Sequence, residues 1–137
     1  MKLLITLIAV VISANAAFAQ SATRTPVYEL EWSPTPFGPH LSVVSRDADS
    51  DAHITYLKFA PGMVAPLHTH TGDYVGIVLS GASKHWLPNV PESEVILSAG
   101  SHWSMPGGVE HVSECLPGVE CIFILYQEQA LDLLLVD

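Results

Sequence analysis

Between residues 53 and 126 the chain alternates short apolar runs with clusters of Pro, Gly, Asn and Ser. The runs are "HITYLKF" (53–59), "DYVGIVLSG" (73–81), "SEVILSAG" (93–100), "HWSM" (102–105) and "CIFILY" (121–126). All are rich in β-branched and aromatic residues, the pattern of strands cut off by turns. A sustained helical period is absent except over "QEQALDLLL" (127–135), which serves equally well as a final strand. The pattern predicts an all-β domain, a sandwich or a barrel, and the ten prolines and nine glycines fit its many turns. Ahead of it, "TRTPVYELEWSPTPFGPHL" (23–41) is punctuated by prolines and reads as an irregular arm with one or two edge strands.

The first residues follow a different rule. Lys2 precedes an almost wholly apolar run, Leu3 to Ile12, and Ala17-Phe18-Ala19 is a small-x-small cleavage site before Gln20. This is the pattern of a signal peptide over residues 1–19, with a mature chain beginning near Gln20 in the periplasm or outside the cell. The apolar run is about half of the ~20 residues needed to cross a bilayer, so an anchor is disfavoured.

With histidine neutral the net charge is −9, and one unit more negative once Lys2 is removed. Nucleic acid and anionic membrane surfaces are therefore poor partners. The acidic cluster "DADSD" (47–51) opens like a calcium-binding EF-hand loop, but Ala52 and Lys58 stand where that loop needs glycine and glutamate. It reads as a solvated turn.

Against this plain background the histidines stand out. His68 and His70 are two apart, so on a strand both imidazoles point to one side, placed to grip a single ion. His111 follows a Pro-Gly-Gly turn at the start of another apolar segment and can bring a third imidazole from a neighbouring strand. Tyr74 and Gly76 continue the inward parity of His68 and His70. Gly76 then leaves open space over the ion, as a small-molecule pocket requires. The outward set Val75, Ile77 and Leu79 is apolar and calls for a cover, either an outer strand or a second copy of the chain.

The spacing of these residues resembles the two motifs of the cupin superfamily, small jelly-roll β-barrels. The first motif reads Gly62, His68, His70, Tyr74 in place of glutamate, and Gly81; the second reads Gly100, Pro106, Gly108, His111, and Cys115 in place of asparagine. Four of the five positions match in each, and the likeness covers residues 53 to 126. With "HTHTGDY" around the tyrosine, the chain looks most like a small single-domain exported cupin. The resemblance implies a jelly-roll barrel over residues 53–137, preceded by an arm with edge strands over 20–52. It also implies a homodimer, tight turns at Gly62, Gly81, Gly100 and Gly108, and a metal held by His68, His70 and His111. Such a three-imidazole site suits zinc, iron, copper or nickel.

Two positions stay open. Tyr74 either lies near the metal as a ligand or proton-transfer group, or is a barrel-lining aromatic. Cys115 and Cys121 flank the turn "LPGVE" and form a disulfide across a hairpin, or Cys115 is a thiolate ligand; an oxidising compartment favours the disulfide. His85 could line the barrel mouth, His102 is the best outside candidate for contact with a ligand, and His40 and His53 receive no role. The expectation is an exported metal-dependent enzyme acting on a small molecule, as an oxygenase, lyase or isomerase. The alternative is a non-catalytic module that binds a small ligand or senses it.

Overall fold

The structure is a computed structural model and describes residues 22–136; the expected signal peptide, residues 1–19, lies outside them. Among the described residues there are eleven strands and two short 3-10 turns. The strands are β1 (Ser33–Pro34), β2 (His40–Arg46), β3 (His53–Phe59), β4 (Val64–Thr69), β5 (Tyr74–Ser80), β6 (Ala82–Trp86), β7 (Leu97–Ser98), β8 (His102–Met105), β9 (His111–Cys115), β10 (Cys121–Gln127) and β11 (Leu134–Leu135). They form two antiparallel sheets, ordered β1-β2-β3-β10-β5-β8 and β11-β4-β9-β6-β7. The expected all-β jelly roll is the fold observed. No helix of the described residues is long and apolar enough to cross a membrane.

Strand periodicity sets the two faces. Along β5, Tyr74, Gly76 and Val78 are buried while Val75, Ile77 and Leu79 are exposed, as alternation requires. Phe59, Val78, Met105, Phe123 and Leu125 form the core with Ala65, and the Phe59 and Phe123 rings meet edge to face at 5.5 Å. Gly62, Gly81, Gly100 and Gly108 all have φ between +75° and +91°, the left-handed region a side chain rarely adopts. The acidic turn satisfies itself: Asp47 Oδ1 accepts the Asp49 and Ser50 N–H groups and the Ser50 hydroxyl.

Three sequence expectations change. Cys115 and Cys121 are bonded, with 5.7 Å between their Cα atoms, but β9 and β10 lie in different sheets. The bond therefore ties sheet to sheet instead of bridging a hairpin ladder, and the Cys115 sulfur is committed to it. The segment 127–135 is neither a helix nor one strand: Gln127 ends β10, and only Leu134–Leu135 pairs again, against Thr69 and His68 of β4. The space expected at Gly76 is filled from the neighbouring strand. Gly76 is the cross-strand partner of Trp103, and a Cβ there would lie 2.1 Å from the Trp103 ring. Glycine is needed because the indole occupies the space a Cβ would fill.

Candidate metal centre

The register of β4 on β9 makes His68 and His111 direct partners, with ring centroids 4.2 Å apart. His70 follows the end of β4, its ring 5.0 Å from that of His68 and 5.3 Å from that of His111. One ring nitrogen from each of the three lies within 4.8 Å of the others. His68 is 3 % exposed and His111 is fully buried.

Hydrogen bonds decide which nitrogens face one another. Nδ1 of His68 donates to the Pro66 carbonyl at 2.6 Å, Nδ1 of His111 to the Val109 carbonyl at 2.8 Å, and Nδ1 of His70 to the Asp132 carbonyl. A carbonyl can only accept, so each Nδ1 holds the proton and each Nε2 keeps a lone pair. Burial lowers the pKa of all three, that of His111 to about 4, so they are neutral at pH 7. Neutral imidazoles with one nitrogen anchored to the backbone and a lone pair on the other are what a transition metal needs as ligands. The three residues therefore fit zinc, iron, copper or nickel, and leave coordination positions for water or a small molecule.

The clamp on His70 comes from far along the chain. Asp132 gives its carbonyl to His70, and its carboxylate accepts the Thr71 N–H at 2.9 Å and the Thr71 hydroxyl. Pairing of β11 with β4 and the Val136 N–H on the Leu67 carbonyl hold this C-terminal strap beside the ligands.

Tyr74 enters from the opposite sheet. Its hydroxyl lies 3.0 Å from Nε2 of His111 and 2.9 Å from Nε2 of His85, whose Nδ1 is 2.7 Å from the Ser113 hydroxyl. The β6–β9 register makes His85 and Ser113 cross-strand partners, which holds this chain of groups straight. Burial raises the Tyr74 pKa well above its usual range, opposed by the nearby Trp103 indole N–H, so the phenol is neutral. Burial, then the neighbouring imidazoles of His111, His68 and His70, hold His85 well below its ordinary value. His85 also stacks on Trp103, with centroids 4.6 Å apart.

The structure thus brings His68, His70, His111 and Tyr74 together and leaves Asp73 outside, accepting the Gly107 N–H. His102 is exposed on β8, so the outside histidine at the site is His85. His53, given no role, is a buried core residue hydrogen-bonded to the Thr55 hydroxyl. Ser113 was missed although its spacing of two from His111 puts it on the same face. A cavity of about 280 Å³ opens above the cluster, lined by His68, His70, Tyr74 and His85 and by apolar residues of both sheets.

Residues 20–130 match the family described as the ChrR Cupin-like domain. No curated protein matches the chain in sequence. Among solved structures, KdgF from Halomonas sp. is 22% identical over 80% of this chain and 96% of that one, with a TM-score of 0.64. The polyketide cyclase RemF from Streptomyces resistomycificus is 17% identical over 85% of this chain and 87% of its own, at a TM-score of 0.67. The complex of Rhodobacter sphaeroides SigE with the anti-sigma ChrR matches at 20% identity and a TM-score of 0.61, over 74% of this chain and 50% of that one. At these identities the likeness is one of fold.

Proposed function

The chain belongs to the ChrR Cupin-like family, and on that premise we propose that it is an exported metal-dependent enzyme acting on a small molecule, as an oxygenase, lyase or isomerase. The observation that supports this best is the position of the Tyr74 hydroxyl, bridging His85 and the candidate ligand His111. A bare binding site needs the three histidines; a neutral phenol and a neutral imidazole in line beside them add a route for a proton.

His68, His70 and His111 would hold the ion through Nε2. Once bound there, the metal supplies a Lewis acid in a water-poor pocket. The proton route follows from hydrogen-bond capacity. Tyr74 has one proton and lies between two Nε2 atoms, of which that of His111 carries no proton, so the phenol either donates to His111 and accepts from His85, or donates to His85. When the His111 lone pair is engaged, Tyr74 donates to His85 Nε2, and His85 donates from Nδ1 to Ser113. A lone pair on the phenolic oxygen then faces the cavity. A substrate proton can be taken up at that oxygen while the phenol proton moves to His85 Nε2, which leaves His85 an imidazolium opposite the substrate anion; the reverse order returns it.

The test uses Tyr74→Phe and His85→Gln in the metal-loaded protein, assayed on whichever compound an oxygen-uptake or product screen identifies. Each variant should lose about 10²–10⁴-fold in turnover and keep its metal. Unchanged turnover in both would remove the proton route and the reading with it.

A second reading, a ligand-binding or sensor module, is favoured by the ChrR match, since one structural neighbour is an anti-sigma factor in complex with SigE. Saturable ligand binding without turnover, in protein containing one metal per chain, would favour that reading. The exposed apolar row of Val75, Ile77 and Leu79, extended by Tyr126 on β10, supports the homodimer as part of the proposal.

A further inference from the structure

The cavity above the histidines is chemically lopsided. Its walls are Phe59, Phe123 and Leu125 from the six-stranded sheet, Phe37 from the arm, and Leu131 and Leu133 from the C-terminal strap. The polar groups that define the reactive end, Tyr74, His85 and Ser113, lie together on the histidine side. Among the described residues two charged side chains, Lys84 and Asp132, reach the lining, and both are already engaged. Lys84 Nζ is 2.8 Å from Glu94 Oε1, and the Asp132 carboxylate is taken up by Thr71. Among the described residues no arginine lines the cavity.

This distribution discriminates between ligand classes. A dicarboxylate or phosphate ester would bring a second charge to a wall that offers no free counter-charge, and its desolvation would go uncompensated. A sugar would bury a ring of hydroxyls against Phe and Leu and leave them unpaired, each at the cost of its lost hydrogen bonds to water. An apolar body meets neither cost. The volume, about 280 Å³, is near the lower end of small-molecule pockets.

We infer that the cavity takes a neutral or singly charged small molecule with an apolar body, aromatic or branched aliphatic, and one oxygen donor directed at the histidines, with Leu131, Leu133 and Phe37 as specificity-determining residues. The oxygen donor's destination rests on the metal-dependent reading above; the apolar class rests on the walls alone. The two can therefore fail separately.

The experiment is calorimetric titration of the mature protein, zinc-loaded and chelator-treated, with 2-naphthol, succinate and glucose as probes. Zinc content is measured in parallel. 2-Naphthol should bind both forms, at least tenfold more tightly with zinc, and succinate and glucose at least 100-fold more weakly. Phe37→Asp, on the arm and away from the ligands, and the double variant Leu131→Asp/Leu133→Asp should each weaken 2-naphthol at least tenfold, with melting checked to show folded protein. Should the strap variant lose zinc through His70, Phe37→Asp still decides. Protein that binds 2-naphthol but takes up none of zinc, iron, copper and nickel, offered in turn, would sink the metal reading and uphold the apolar class. Succinate or glucose binding as tightly as 2-naphthol, or 2-naphthol binding unmoved by Phe37→Asp, would overturn the inference.

Discussion

His68 and His111 are cross-strand partners on adjacent strands, with rings 4.2 Å apart and each Nδ1 held by a backbone carbonyl two residues before it. The same local device, a carbonyl at position minus two, thus fixes both tautomers. His68→Ala or His111→Ala should each leave two imidazoles, too few for tight binding, and reduce metal content at least tenfold in elemental analysis. The core is separately apolar, so circular dichroism should still report a folded β domain. Full metal occupancy in either variant would remove the assignment.

The metal-free protein should weaken in mild acid. Burial holds His111 at about 4 against an ordinary 6.5, and lowers His53, His68, His70 and His85 as well. Between those two values the unfolded chain binds the proton and the folded chain does not. Stability is therefore greatest above pH 6.5, falls as pH drops, and stops falling on this account below the folded value. His111 alone contributes on the order of 3 kcal/mol to that fall. Denaturant melts in chelator from pH 7.5 to 4.5 check it; a flat profile would show that the imidazoles are not protected.

Gly76→Ala tests the packing of the indole. The added Cβ would sit 2.1 Å from the Trp103 ring, so either β5 or Trp103 must move. Overpacking of this kind costs roughly 1–3 kcal/mol. Because His85 stacks on Trp103, the near-ultraviolet dichroism of the aromatic cluster should change too. A variant as stable as the parent, with an unchanged spectrum, would mean the indole lies elsewhere.

The Cys115–Cys121 bond closes a loop with a sequence separation of only 6, so reduction should lower stability by about 2 kcal/mol on the loop-entropy account. Untreated protein should weigh about two hydrogens less than reduced protein and show no free thiol on denaturation. Two thiols appearing only when metal is chelated would instead return Cys115 to the ligands.

Much of this site could be read in one dimension. His68 and His70 share a face through strand alternation alone, and the glycines at 62, 81, 100 and 108 mark positive-φ turns by their residue type. His85 and Ser113 were harder to place, because their meeting depends on the β6–β9 register, which no local pattern specifies. Asp132 acts on His70 through a main-chain oxygen, and any residue type has one, so its contribution leaves no trace in the side-chain sequence. Gly76 was misread for a related reason. A missing side chain looks like empty space until the tryptophan facing it across the ladder is known.

The carbonyl that orients His70 belongs to a residue 62 positions downstream, whereas His68 and His70 are near neighbours in the chain. A nascent or partly collapsed chain can therefore offer an incoming cation only a loose imidazole pair in which the His70 tautomer is not fixed. The complete donor set exists only after both sheets have closed and β11 has docked on β4. An ion held by these three histidines would then enter as the closing step of maturation, from the pool in which folding finishes. Intrinsic affinity for imidazole rises from iron through nickel to copper, so the order of events can select an ion that affinity alone would not.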